Sequence, residues 1–345
     1  MVSRKMSWTA MMVVMIALLI SACGKGADSG QTPAAGNGDT QTNQPSGSDT
    51  TAKPVHIKVG LVCGGMTPLL EQIGVNDGSF AKAGLEIENV CFTAGADAVQ
   101  ALVGGSLDIN LGSFEHVLKQ QKNGLGVKAY GDIYNGVGYS LVVKSDATYK
   151  SVADLKGKTL AVTKVGSLSD TGLRLGLKDE GLDPNKDVTI IGAGSGASML
   201  AAIQSGNVAG GMVSEPTTSQ MLADGKFRIL YDPAYEFAGI TVMAKTDWVD
   251  KNKEAMQTFL KVLKEVNDRT QADPGSAVEP MKKDFPKISD DVLKTAITNQ
   301  LKKVPQGLEI SQASVDKVTQ SQIEIKAIDK GLPFDQTVDL SLLTK

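Results

Sequence analysis

From Val55 onward the chain alternates short β-rich runs with runs whose apolar residues recur every three or four positions, the two periods that separate strands from helices. "HIKVGLVC" (56–63) and "LEIENVCF" (85–92) predict strands, with a helix opening in "TPLLEQIGVNDGSFAKAG" between them. "ADAVQALVGG" then predicts a helix and "LDINLG" a third strand. A β-α-β-α-β order of this kind favours a parallel sheet covered by helices.

The same unit is written a second time. Gly95, Ala96, Ala101, Leu102, Gly105 and Ser113 recur as Gly196, Ala197, Ala202, Ile203, Gly206 and Ser214, each 101 positions later (95 to 196) and without a gap. Upstream, "KTLAVTKVGS" (158–167) takes the part of the first strand and its loop, and "DVTIIGAG" (187–194) the part of the second. Ligands of open α/β sheets bind beyond the carboxyl ends of the strands, so two such lobes facing each other make a cleft lined by equivalent loops. After the second unit, "AGITVMAK" (238–245) predicts a return strand and "DWVDKNKEAMQTFLKVLKEVNDRTQ" one long amphipathic helix. "SDDVLKTAITNQLKKV" and "ASVDKVTQSQIEIKAIDKG" predict further helices, placed on the first lobe. Two crossings, near "YSLVVK" (139–144) and "GITVMAK" (239–245), serve as the hinge.

Upstream of Val55 the pattern changes. Arg4 and Lys5 precede "WTAMMVVMIALLI" (8–20), an apolar run too short to span a bilayer comfortably, which reads as a secretory signal. Residues 24–54 are a Gly, Ser, Thr, Gln, Asn, Asp and Pro linker with nothing large to bury, a composition that cannot recover the entropy of ordering. As a flexible coil it reaches about 30 Å. The 345 residues therefore divide into a signal with its cleavage region (1–23), a disordered linker (24–54), lobe 1 (55–142 plus 243–345) and lobe 2 (143–242). A net charge of −3 with Lys and Arg scattered along the chain leaves no electrostatic footprint for nucleic acid. His56 and His116 are too few and too far apart for a His-rich metal site.

Several stretches carry a family likeness. "LISAC" followed by Gly24 resembles the lipobox of bacterial lipoproteins, which implies lipidation at Cys23 and membrane attachment through that anchor alone. "SVADLKGKTLAV" (151–162), "GSLSDTGLRLGLKDEGLDPNKDVTII" (166–191), "AAIQSGNVAGGMVSEP" (201–216) and the closing "VDLS" (338–341) resemble the solute-binding proteins of ABC importers. The group they are most similar to is the nitrate, sulfonate and taurine set, which includes binders of thiamine-pyrimidine precursors. The likeness covers residues 55–345. It implies a type II periplasmic-binding-protein fold of two α/β lobes on a two-strand hinge. It also implies a monomeric binding protein without cofactor or catalysis, held outside the cytoplasmic membrane, that closes on a small organic or anionic solute and docks on a permease driven by an ATPase. Three other readings stay open: a binder of a pyrimidine or other nitrogenous solute, a pyrimidine-synthase-like enzyme on the same fold, and a sensory role beside a receptor kinase.

The loops after the strands hold the candidate ligand site. In "VCGGMTPLL", Thr67 and Pro68 fit an N-cap and first helical position, and Gly64 and Gly65 let the backbone approach a solute beside Met66. Thr163, Gly166 and Ser167 hold the matching place in lobe 2, with Ser167 and Asp170 at capping-box spacing. Ser195 follows the next strand, while Ser113, Phe114 and Glu115, mirrored by Ser214 and Glu215, follow the third strand of each lobe. Free N–H groups at such helix starts attract anionic oxygens. Glu115 would oppose an anion but could accept from an amine or amidine, and Glu215 either contacts solute or serves the fold. Tyr139, with Tyr134, flanks the first hinge strand and can stack on a flat solute, whereas Lys164 is read as pointing to solvent. Cys63 and Cys91 end neighbouring strands, and an exported location allows either a disulfide or two buried thiols.

Overall fold

The computed structural model describes residues 53–343; the expected signal segment, the lipidation at Cys23 and the linker as far as residue 52 lie outside the described residues. The chain runs β1 (Val55–Val62), α1 (Leu69–Asn76), α2 (Ser79–Lys82), β2 (Leu85–Phe92), α3 (Gly95–Val103), β3 (Ile109–Gly112), α4 (Phe114–Lys122) and β4 (Val127–Asn135). It then crosses to β5 (Ser140–Lys144), β6 (Thr159–Val162), α5 (Leu168–Asp179), β7 (Thr189–Gly192), α6 (Ala197–Ser205), β8 (Gly210–Val213), α7 (Thr217–Ala223) and β9 (Phe227–Tyr231). A second crossing leads to β10 (Ala238–Lys245), and the rest is helical apart from short 3-10 turns. These last helices are α8 (Thr246–Lys251), α9 (Lys253–Ala272), α10 (Val278–Lys282), α11 (Asp290–Leu301), α12 (Gln312–Glu324) and α13 (Phe334–Thr337).

The strands form two five-stranded sheets of identical design, β2-β1-β3-β10-β4 and β7-β6-β8-β5-β9. In each, the first three strands are parallel and joined through helices, as parallel neighbours require. The fourth strand of each sheet, β10 or β5, runs antiparallel and is the one that arrives from the other lobe. The fifth, β4 or β9, is the one that leaves. The repeat read from the sequence is thus a repeat of whole sheets.

Residues 136–139 and 232–237 make the crossings. The expected boundaries at 142/143 and 242/243 would cut through β5 and β10, because both strands are apolar along their length and bury in the lobe they enter. Side by side, the crossings bond to each other: the Gly136 N–H donates to Phe237 O at 2.7 Å, and the Phe237 N–H donates to Asn135 Oδ1 at 2.8 Å.

Ile57, Val59 and Leu61 of β1 are buried at the centre of lobe 1. On one face of that sheet α9 is seated through Phe259, which stacks on Phe80 with ring centroids 5.0 Å apart. The single long helix expected over 247–271 is broken at Asn252, whose side chain donates to Trp248 O at 2.9 Å and ends α8. Asn competes for backbone partners in this way and interrupts helices. The C-terminal helices do not all stay on lobe 1: α11 packs on α7, and α12 packs on both α4 and α5. Of the two outcomes left open for the cysteines, the structure has the disulfide, Cys63 to Cys91, with Cα atoms 5.3 Å apart across the paired ends of β1 and β2. Among the described residues no helix is long and apolar enough to cross a membrane.

Candidate functional site

The strand-end loops of the two lobes meet and bond directly. Gly64 lies against Gly196, and Ser195 Oγ donates to Cys63 O at 2.7 Å. Gly196 has a φ of +55°, and a Cβ there would stand 2.9 Å from Gly64 O, so glycine is what allows this approach. The Met66 N–H donates to Glu215 O at 2.7 Å, and Gly65 faces the Ser214 hydroxyl. On the other side of the junction the Ala96 N–H donates to Ser167 Oγ at 3.1 Å. Lys164, read as solvent-facing, instead pairs with Asp97 of the opposite lobe, because the two loops meet there.

Two expected caps are not caps. Helix α1 starts at Leu69 with Pro68 at the N-cap position and no side-chain cap bond, so Thr67 does not cap it. Ser167 precedes α5 but makes no cap bond either; its hydroxyl is spent across the junction, and Asp170 accepts from the Gly166 N–H at 2.8 Å instead. Ser113 stands at the N-cap position of α4, 2% exposed, with its hydroxyl unpartnered among the described residues. A serine at a helix start that does not cap leaves both its hydroxyl and the helix's free N–H groups available.

Other candidates are committed to the fold. Phe114 is in the core. Thr163 is buried and bonds Ser169 at 2.9 Å, which fixes the loop rather than presenting a hydroxyl. Glu115, proposed to receive an amine, is fully buried and occupied: Thr171 Oγ1 donates to it at 2.6 Å and Gln322 Nε2 at 3.0 Å. Glu215 caps α7, accepting the Ser219 N–H at 3.0 Å and the Ser219 hydroxyl at 2.9 Å, and also accepts from Asn299 Nδ2 at 3.1 Å. Met66 is buried, and its carbonyl accepts Gln300 Nε2 at 2.8 Å.

Beside the Glu215 loop, a cavity of about 320 Å³ opens between the two crossings and α11, a size ordinary for small-molecule sites. Its lining includes Tyr134, Val137, Tyr139, Glu215, Asp232 and Lys303, so both lobes and both crossings contribute. Burial pushes the Tyr139 phenol up to about 12 and raises Tyr134 as well, so both stay neutral donors at any ordinary pH. Of the expected residues, Tyr139 and Glu215 reach this cavity, together with Tyr134.

Two buried ionisable groups give the closed body a pH signature. His116, in α4 beside Glu115, is held down to about 4 from 6.5 by burial, with Glu115 opposing and Lys119 assisting. Its contribution is complete above pH 6.5 and is lost as pH falls towards 4. Glu71, buried in α1 with neither carboxyl oxygen within hydrogen-bonding geometry of a partner among the described residues, is pushed up from 4.5 to about 8 by burial, with Asn89 opposing and Asp284 assisting. Its contribution is complete below pH 4.5 and is lost as pH rises to 8. The two slopes oppose each other between 4.5 and 6.5, leaving Glu71 to act without His116 between 6.5 and 8. Over that window Glu71 is expected to remove about 2 kcal/mol of stability, at about 1.4 kcal/mol per pH unit. Burial holds the Asp132 carboxyl well above the usual carboxylate range and slopes stability the same way, so Glu71→Gln should lower the slope of urea-midpoint profiles there, and an unchanged slope would contradict the assignment.

The sequence reading missed the polar residues that work from inside helices or from the C-terminal segment: Thr171, Asn299, Gln300 and Gln322. Asp97, in the first turn of α3, and Lys164, on the loop after β6, were findable, since both lie just beyond strand ends.

A family model described as NMT1/THI5 like matches residues 73–277. A provisionally named binding protein of Brucella abortus (strain 2308) is 29% identical over 268 residues, covering 72% of this chain and 77% of that protein. The alkanesulfonate-binding protein SsuA of Xanthomonas axonopodis pv. citri, bound to MOPS, has a similar structure, with a TM-score of 0.67 and 20% identity over 86% of this chain and 96% of that one. The ligand-binding component of an ABC-type import system of Staphylococcus aureus, with zinc bound, gives 0.69 and 18% over 84% and 98%. These likenesses bear out the expected periplasmic-binding-protein fold. The family match runs from α1 through both lobes to the end of α9 and just beyond, more than half of the chain, and with the paired sheets and facing loops it makes this protein a member of the NMT1/THI5-like family.

Proposed function

We propose that this chain is the extracytoplasmic solute-binding component of an ABC importer, a monomer that captures a small organic or anionic solute as its lobes close and hands it to a permease and its ATPase. The carrying observation is the junction: equivalent strand-end loops of two equivalent lobes meet, and beside it the two crossings, the Glu215 loop and α11 border a cavity of about 320 Å³. The names of the relatives support the reading, one being a binding protein, one an alkanesulfonate-binding protein and one part of an ABC-type import system. Export and attachment through Cys23 follow from the same reading.

An anionic solute suits the Ser113 hydroxyl at the start of α4, unpartnered among the described residues, and the commitment of Glu115 and Glu215 to protein donors leaves neither of the two expected acids free to receive an amine. A pyrimidine-synthase-like enzyme would need a reactive cysteine near histidine. Cys63 and Cys91 are bonded to each other, His56 is on the surface beside Glu88, and His116 is buried and neutral.

The test is a thermal-melt panel on the purified chain with alkylsulfonates, taurine, nitrate, thiamine-pyrimidine precursors and small amines. A solute at 100 times its Kd should stabilise the fold by about 2.7 kcal/mol. A shift with sulfonates or nitrate is expected, a shift only with pyrimidines or amines would replace the solute class, and no shift with any would defeat the proposal. Ser113→Ala should weaken the bound anion about tenfold or more, the usual worth of a hydrogen bond to a charged group. The unliganded melt should barely move, because this serine makes no cap bond. A large stability loss with unchanged affinity would make Ser113 structural.

A further inference from the structure

We infer that Glu115, Thr171 and Gln322 form a lock across the lobes, through which the C-terminal helix α12 sets solute affinity without touching solute. Glu115 lies in the first turn of α4 on lobe 1 and is 0% exposed. Its Oε2 accepts from Thr171 Oγ1 at 2.6 Å, on α5 of lobe 2, and from Gln322 Nε2 at 3.0 Å, on α12. Gln322 Nε2 also stands 3.3 Å from Thr171 Oγ1, which closes a triangle between three elements, and Lys119 Nζ is 3.5 Å from Oε1 on the remaining side. Thr171 and Gln322 are buried as well, and α12 packs against both α4 and α5.

A carboxylate removed from water needs every donor it has, and losing one costs more than the bond's net worth in an exposed setting. In the closed molecule the Thr171 hydroxyl is one of three donors to Glu115. When the lobes part, Thr171 leaves and water can take its place. Removing that hydroxyl therefore penalises the closed form and spares the open one. A solute that binds the closed form has its apparent affinity scaled by the closed fraction, so these residues are positioning residues for capture. The link to affinity rests on the solute-binding reading, but the lock itself does not.

Amide hydrogen exchange on the solute-free chain tests the lock. The Met66 and Ala96 N–H groups donate across the junction, to Glu215 O and Ser167 Oγ, while the amides of β1 and β6 lie within single sheets. Thr171→Val should speed exchange at Met66 and Ala96 about tenfold or more, leave the sheet amides as they were, and be rescued by Thr171→Ser. Gln322→Met, which removes the other cross-element donor, should give the same pattern and stands in if the valine variant does not fold. Unchanged junction amides in the folded variants would overturn the proposal. So would an equal rise at all amides, which would mean loss of global stability and no lock. Because no solute is present, either failure leaves the binding reading standing, and that reading falls only if the melt panel shows nothing.

Discussion

Replacing Gly239 by alanine is expected to cost about 3 kcal/mol or more, or to prevent the folded chain from accumulating. A Cβ at this position would lie 1.8 Å from Gly136 O and 2.8 Å from Tyr134 O. Both obstacles are backbone, so no rotamer change relieves them. They belong to the end of β4 and the crossing that follows it, and that crossing is tied to the one just before Gly239 through the Gly136 N–H to Phe237 O bond of 2.7 Å. The ladder between β10 and β4 already shifts register between Ala238 and Ile240, where the chain is bent to fit, a setting in which strand glycines often allow close backbone approach. Gly95→Ala is the control: its nearest neighbour would be His116 Nε2 at 3.4 Å, ordinary contact, and little stability should be lost. Urea unfolding of the two variants decides the matter, and equal midpoints would mean that the crossings are looser than described.

Reducing the Cys63–Cys91 bond is expected to cost about 3.5 kcal/mol in the chain-entropy account, given a sequence separation of 28. The effect should reach beyond stability. Cys63 carries the carbonyl that receives Ser195 Oγ from the opposite lobe, so the bond also steadies the loop that meets lobe 2. Unfolding with and without a phosphine reductant, with a Cys63→Ser, Cys91→Ser double variant as reference, measures it. A midpoint indifferent to reductant would show that the thiols are free in solution.

Much of the architecture was readable because it is written in periods and in a repeat. The runs 85–92 and 238–245 are strands with those bounds, and the 101-residue offset between Ser113 and Ser214 marks the same turn after β3 and after β8. The errors have local causes. Asn252 stops a helix that hydrophobic periodicity alone would carry through, since its side chain finds the Trp248 carbonyl. Ser167 and Asp170 have the spacing of a capping box, yet the hydroxyl finds a better partner in the Ala96 N–H of the other lobe, which no spacing rule can see. Glu115 looked like a ligand group because an acid at a strand end usually faces the cleft.

The sequence by itself determined what depends on neighbours along the chain: the alternation of strands and helices, the duplication and the end-of-strand loops. Only the tertiary structure decided which polar groups remain free for a solute. Satisfaction of a buried hydroxyl or carboxylate is settled by partners from distant segments, Thr171 and Gln322 for Glu115, Asn299 for Glu215, Ala96 for Ser167. In sequence each of those partners is one more polar residue on a helix or loop, and it acquires its role only when the lobes and the C-terminal helices are brought together.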